Sequence, residues 1–141
     1  MNPRDQRTSN PARPEPGGRL DELCHRVIGS ALEVHRRLGP GFLEAVYERA
    51  MCVELRLRGI RYAQQVPVGV MYKGNPIGTG RIDLLVDSRL VVEIKVVETI
   101  APIHVAQVIS YLKATGLPLG LLITFNVLRL SLGVKRVVLS S

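Results

Sequence analysis

Three residues in the middle of the chain, Asp83, Glu93 and Lys95, have types and a spacing that suit phosphodiester chemistry. Glu93 and Lys95 are two positions apart in an apolar stretch, so in a strand their side chains share one face. If residues 87–89 form a three-residue loop between antiparallel strands, Asp83 lies opposite Glu93, with Cβ atoms about 4.5–5.5 Å apart. Two carboxylates so close repel each other unless a cation lies between them. The spacing therefore predicts a cation site beside a lysine.

The residue types of this predicted site indicate metal-dependent cleavage of a phosphodiester. Mg²⁺, with Mn²⁺ as its substitute, prefers hard oxygen ligands and keeps several bound waters. A neighbouring lysine ammonium is suited to orient an attacking water and to stabilise negative charge on a phosphate. Apolar residues flank both carboxylates, and buried charges are costly unless they are paired or bound to metal. The alternative is that these residues lie on an exposed strand face at the sheet edge and form ordinary ion pairs.

The apolar pattern around these residues predicts an α/β domain. A period near 3.6 predicts helices, and short β-branched runs, one with a clear period of two, predict strands. The predicted helices cover 20–38, 42–58 and 101–115, and the predicted strands cover 65–72, 80–86, 90–97, 119–125 and 134–139. The last helix separates an antiparallel meander from a strand that lies parallel to part of it. This order predicts a mixed central sheet flanked by helices.

Two helices carry patterns that bear on the core and the site. On the helix over 42–58, the residues available for burial are Leu43, Val46, Ala50, Val53 and Leu55. On the helix over 101–115, His104, Gln107 and Tyr111 fall at i, i+3 and i+7 and form one polar stripe beside an apolar face. Beside a carboxylate site, this stripe is suited to hold backbone phosphates or a water. The alternative is a plain solvent-exposed face.

Length and charge limit the remaining possibilities. The 141 residues predict one domain over 19–141 after a polar, proline-rich and glycine-rich flexible tail over 1–18. The net charge of +7 makes nucleic acid the first partner to consider, with a solvated basic surface as the alternative. Cys24 and Cys52 lack the spacing of a zinc site. The absence of a signal peptide and of a membrane-spanning apolar run predicts a cytoplasmic protein without a membrane partner.

Several motifs in one order resemble the GxxExxY family. Residues 41–47 read Gly-Phe-Leu-Glu-Ala-Val-Tyr, which is the pattern that names the family. Further matching segments lie at 33–36, 38–41, 65–67, 72–74, 83–86, 93–95, 101–104 and 107–112. The resemblance covers residue 20 to the end of the chain. That family is placed in the PD-(D/E)xK nuclease-like superfamily, so the resemblance implies a restriction-endonuclease-like αβββαβ core.

The resemblance also implies roles for individual residues. It assigns the superfamily's catalytic and metal-binding carboxylates and its lysine to Asp83, Glu93 and Lys95, and it adds Glu44 from the first core helix to the metal ligands. Ile82 stands where many members have proline, which removes no ligand. Gln107 and Tyr111 match a Gln-x-x-x-Tyr element of the exonuclease-like branch. These two residues, together with His104 and Tyr47, are the expected substrate-binding or supporting residues.

Alternatives to these implied roles stay open. A glutamate at position 44 is also favoured simply by the helix N-terminus and its dipole, and Tyr47 also suits the core with its hydroxyl at the edge. Nuclease-like folds host proteins without nuclease activity. The leading hypothesis is therefore a Mg²⁺-dependent nuclease, and the alternatives are a non-catalytic nucleic-acid- or protein-binding module and a subunit whose partner supplies the chemistry. A homodimer is a candidate assembly, because so small a chain needs a second copy to embrace a duplex.

Overall fold

A computed structural model describes residues 18–139. Residues 1–17 of the predicted tail, and residues 140–141, lie outside the described part of the chain. Gly18, assigned to the tail from sequence, is instead the first residue of a helix. The elements in chain order are α1 (Gly18–Leu38), α2 (Glu44–Leu57), β1 (Tyr62–Tyr72), β2 (Asn75–Val86), β3 (Leu90–Lys95), α3 (Pro102–Thr115), β4 (Leu119–Thr124), a short 3₁₀ helix (Leu130–Leu132) and β5 (Val134–Val138).

The strands form one mixed sheet in the order β1-β2-β3-β4-β5. Neighbours pair antiparallel except β3 and β4, which run parallel in a register that places Lys95 beside Thr124. Helix α3 makes the crossover between these parallel strands, because a parallel pair cannot be joined by a tight turn. The predicted α/β fold, with a mixed sheet flanked by helices and a restriction-endonuclease-like order of elements, is confirmed.

Two apolar layers enclose the sheet. Helices α1 and α2 pack on one face, where Tyr47 and Phe125 are among the largest buried side chains. Helix α3 packs on the other face through Val108 and Leu112. Strand β3 is central and covered on both sides, which is why it is apolar along its length except at Glu93 and Lys95.

The apolar face predicted for the second helix is largely wrong. Leu43 is 77% exposed, and Val46 and Val53 are exposed as well. Of the predicted residues, Leu55 is fully buried and Ala50 packs partly buried against the core. The other buried residues of α2 are Tyr47, Glu48, Met51 and Cys52. Both sides of this helix carry apolar residues, so periodicity alone did not distinguish them. The larger Tyr and Met side chains fill the core, and a glutamate is buried with them.

The hairpin of β1 and β2 is longer than predicted, because β1 begins three residues earlier and β2 five residues earlier. The beginning of β2 contains one proline and two glycines, which weaken any strand signal. Lys73 and Gly74 both have positive φ and form a two-residue turn. Asp87 and Ser88 also have positive φ and belong to the three-residue turn (87–89) between β2 and β3, which fixes the register that positions Asp83.

No helix within residues 18–139 is both long enough and apolar enough to cross a membrane.

Candidate active site

Asp83 and Glu93 meet at the end of the β2–β3 ladder. The backbone pairing runs from Val86 and Leu90 to Leu84 and Val92, so Asp83 and Glu93 occupy the next opposed position, as the sequence predicted. The backbone N–H of Asp83 donates to Glu93 Oε2 at 2.8 Å, and the backbone N–H of Ile94 donates to Asp83 Oδ2 at 2.8 Å. Each carboxylate therefore satisfies a backbone donor of the opposite strand with one oxygen and keeps a second oxygen for other partners.

The electrostatics of these carboxyl groups reflect burial and crowding. Glu93 is 2% exposed, and its pKa is raised to about 8 by burial and then by the negative charge of Asp83. Burial also raises the pKa of Asp83, against the hydrogen bond from Ile94. The pKa of Glu44 is raised by burial and then by Asp83, while the charge of Lys95 opposes each of these shifts. The three acids and the lysine therefore form one coupled group.

Tyr47 holds the loop that precedes α2, the helix that begins at Glu44. Its hydroxyl donates to the Gly39 carbonyl at 2.6 Å and accepts the backbone N–H of Phe42 at 3.1 Å. The ring is fully buried and stacks on Phe125 with ring centroids 4.6 Å apart. The loop also needs Gly41, whose φ of +110° is strained for any other residue. Within the 41–47 motif, Gly41 and Tyr47 thus shape the loop that positions the carboxylate of Glu44.

Glu48 and two glutamines form a polar cluster that the sequence analysis did not single out. Glu48 is only 7% exposed. Its Oε2 accepts Gln64 Nε2 at 2.7 Å, and both of its oxygens accept Gln65 Nε2, at 3.0 and 2.9 Å. An acid four residues after Glu44 lies on the same helix face, and this spacing was the available signal. The sequence did not indicate that Gln64 and Gln65 contact the same carboxylate, because adjacent residues of a strand normally point to opposite faces.

Lys95 opens onto a cleft between the sheet and α3. The cleft has a volume of about 370 Å³ and is lined by Lys95, Ile103, His104, Ala106, Gln107 and Ser110. His104 Nδ1 accepts the backbone N–H of Ala101 at 2.9 Å, which ties down the start of α3. In the neutral ring the proton is therefore on Nε2. The structure thus brings two of the three residues of the predicted polar stripe, His104 and Gln107, to the same cleft as Lys95.

Tyr111 connects α3 to β2 rather than lining this cleft. Its hydroxyl lies 3.5 Å from Gln107 Nε2 and 3.4 Å from the backbone nitrogen of Arg81. A Cβ atom on Gly80 would lie 2.7 Å from Tyr111 Cε1, so the tyrosine ring requires a glycine at position 80. The Gln-x-x-x-Tyr element therefore braces the strand just before Asp83.

The donor set fits a hard divalent cation. Within residues 18–139, no three His, Cys, Asp or Glu side chains lie close enough together to coordinate a metal ion as they stand. Asp83 and Glu93 each use one oxygen to accept a backbone N–H of the opposite strand. Among the described residues, Glu93 Oε1 accepts no hydrogen bond, and Asp83 Oδ1 has only a long contact of 3.5 Å with Gln65 Nε2. The charge of Glu44 acts on the same group of carboxylates. Carboxylate oxygens in a buried, negatively charged position are ligands that Mg²⁺ and Mn²⁺ favour.

Comparison with known proteins identifies the superfamily. No curated protein and no solved structure matches the chain significantly. The family model described as the PD-(D/E)XK nuclease superfamily matches residues 21–137, which include every residue of the site. Members of this superfamily generally use divalent metals and act on nucleic acid. With most of its length matched and an acidic site at the strand positions just described, the chain belongs to the PD-(D/E)XK nuclease superfamily.

Proposed function

We propose that this protein is a nuclease of the GxxExxY group that hydrolyses phosphodiester bonds of nucleic acid with the help of Mg²⁺ or Mn²⁺. The observation that carries the proposal is the pairing of Asp83 with Glu93 at the end of the β2–β3 ladder, each with one oxygen to spare and with Lys95 two residues further on. The arrangement of Gly41, Glu44 and Tyr47 supports the GxxExxY assignment.

The proposed roles follow from the position of each side chain. Asp83 and Glu93 would hold the divalent ion, and Glu44 would contribute from the start of α2. When bound, such an ion polarises the phosphate and lowers the pKa of a bound water. Lys95, between the acids and the cleft, holds the attacking water or an oxygen of the scissile phosphate and stabilises the charge that develops there.

The cleft beside α3 is the proposed path of the substrate backbone. His104, Gln107 and Ser110 line it with polar groups that suit phosphate oxygens, and Lys95 supplies a positive charge. The net charge of +7 favours approach of a polyanion. Tyr111 supports this path indirectly by holding α3 against β2.

A second candidate function is a nucleic-acid-binding module without turnover. It is favoured by one observation: among the described residues, no three metal-binding side chains lie close enough together to coordinate an ion. Such a module binds nucleic acid in a salt-sensitive manner, and substitution of Glu93 leaves that binding unchanged.

Cleavage assays on purified protein separate the two functions. Labelled single- and double-stranded DNA and RNA are incubated with Mg²⁺ or Mn²⁺, beside EDTA and the variant Glu93→Ala. The exposed Glu98, five residues after Glu93, provides the matched control Glu98→Gln. The nuclease proposal predicts cleavage that needs both the metal and Glu93 but not Glu98. Salt-sensitive binding of these nucleic acids, without cleavage and without any effect of Glu93→Ala, supports the binding module instead.

A further inference from the structure

The backbone of Gln65 is unusual for its position. Four non-glycine residues of the described chain have positive φ, and three of them lie in the two hairpin turns. Gln65, with φ +54°, lies inside β1, between the pairs that join Gln64 to Leu84 and Val66 to Ile82. A non-glycine residue in the left-handed region is strained and persists only where its surroundings enforce it.

Glu48 supplies the interaction that holds Gln65 in this conformation. The Gln65 amide nitrogen lies within 3.0 Å of both Glu48 oxygens, and the Gln64 amide nitrogen contacts Oε2 as well. Glu48 is buried, and a buried carboxylate deprived of its donors is costly. Because adjacent strand residues normally point to opposite faces, the left-handed turn at Gln65 is what brings the second amide to the same carboxylate.

The same Gln65 amide also reaches the active site. Its Nε2 lies 3.5 Å from Asp83 Oδ1, at the long end of hydrogen-bond distances. The other oxygen of this carboxylate, Oδ2, is held by the backbone N–H of Ile94. Asp83 is therefore contacted on both of its oxygens, from β3 on one side and from β1 on the other. Gln64 makes no such contact with Asp83 among the described residues, although it shares the Glu48 carboxylate.

We propose that Gln65 is a positioning residue for the active site. Its amide is aimed by the left-handed backbone and anchored by Glu48, and it fixes the rotation of the Asp83 carboxylate so that Oδ1 faces the proposed ion. The value of this orientation for metal binding rests on the proposed function. The orientation itself is a property of the metal-free protein.

Three variants test this role. Gln65→Gly removes the amide and also relieves the backbone strain. Gln65→Asn keeps a side chain that tolerates the left-handed region, but its amide is one methylene shorter. Gln64→Ala is the matched control, because it removes a donor from the same Glu48 oxygen without touching Asp83. Thermal unfolding of all three shows that each variant is folded before it is used.

The metal-free readout is the hydrogen-exchange rate of the Ile94 amide, followed by NMR, since this amide is bonded to Asp83. Both Gln65 variants should raise the rate about fivefold, as expected when one hydrogen bond's contribution is lost, whereas Gln64→Ala should leave it unchanged. The second readout is Mn²⁺ affinity by calorimetry, without nucleic acid. Both Gln65 variants should weaken it by about 10–100-fold, the usual effect of losing an outer-shell partner.

The outcomes distinguish this inference from the proposed function. If folded Gln65→Gly and Gln65→Asn match Gln64→Ala in both Ile94 exchange and Mn²⁺ affinity, Gln65 does not position Asp83. If the wild-type protein neither binds Mn²⁺ nor cleaves nucleic acid, the proposed function fails. The Ile94 exchange rates then decide on their own whether Gln65 orients the carboxylate.

Discussion

Replacing Glu93 by glutamine should make the metal-free protein more stable at alkaline pH. Glu93 lies in the central strand, 2% exposed, with a negative aspartate as its neighbour. A glutamine of the same shape keeps an oxygen to accept the backbone N–H of Asp83, so this hydrogen bond is preserved. The substitution therefore removes the buried charge and little else.

The size of the effect follows from the raised pKa of Glu93. Its pKa is about 8 in the folded protein and 4.5 for an ordinary glutamate, so the folded state binds this proton more tightly than the unfolded chain. The resulting stabilisation is complete below pH 4.5 and is lost as the pH rises to about 8. At about 1.4 kcal/mol for each pH unit, the loss between about pH 5 and about pH 8 is on the order of 3 kcal/mol.

Urea unfolding in EDTA across this pH range measures the effect. The free energy of unfolding of Glu93→Gln should exceed that of wild type by roughly 3 kcal/mol more at about pH 8 than at about pH 5. Adding Mg²⁺ at the higher pH should stabilise the wild-type protein and leave the variant unchanged, since ligands stabilise only the state that binds them. The control is Glu33→Gln, because Glu33 is paired on the surface with Arg36, which lowers its pKa. Parallel pH curves for wild type and Glu93→Gln would refute the argument that Glu93 is buried and coupled to Asp83.

Three further substitutions test how the site is held together. Tyr47→Phe should lower the free energy of unfolding in urea by about 1–3 kcal/mol, because it leaves the Gly39–Phe42 loop without its hydroxyl; an unchanged value would show that the hydroxyl does not hold the loop. Gly80→Ala should cost about 1–3 kcal/mol by displacing Tyr111 and should cost almost nothing in a Tyr111→Ala background, a double-mutant cycle that fails if the two effects simply add. Lys95→Met, which keeps the aliphatic stem, should lower kcat by about 10²-fold or more with little change in KM; a normal kcat would remove Lys95 from the chemistry.

The fold was predictable from sequence where the hydrophobic pattern and the turn residues indicated the same helices and strands. A strand parallel to part of the meander, the α3 crossover and the three-residue β2–β3 connection were all predicted, and this connection fixes Asp83 opposite Glu93. That β4 pairs with β3 was not predicted. The start of β2 was missed, because proline and glycine carry little strand signal although the hairpin backbone pairs there. The core face of α2 was misassigned, since which of two apolar helix faces is buried depends on tertiary packing rather than on periodicity.

Within the site, the acids were predictable from spacing, but their supports were not. The spacing of Glu48 from Glu44 places both on one helix face, but only the fold shows that Glu48 is buried against Gln64 and Gln65. The left-handed backbone at Gln65 has no sequence signal, because glutamine is not a residue that favours it. Tyr47 belonged to a recognisable motif, yet its role as a clamp on the preceding loop became clear only from its hydrogen bonds.

Asp83 and Glu93 are the residues proposed to support metal-dependent cleavage of nucleic acid. The most direct measurement is the rate of Mg²⁺- or Mn²⁺-dependent cleavage by Asp83→Asn, compared with wild type and with the surface control Glu98→Gln, on whichever labelled DNA or RNA the wild-type protein cuts. We expect a loss of about 10²-fold or more for Asp83→Asn and a wild-type rate for Glu98→Gln. Cleavage by Asp83→Asn at the wild-type rate, or no cleavage of any substrate by the wild-type protein with either metal, would contradict this proposal.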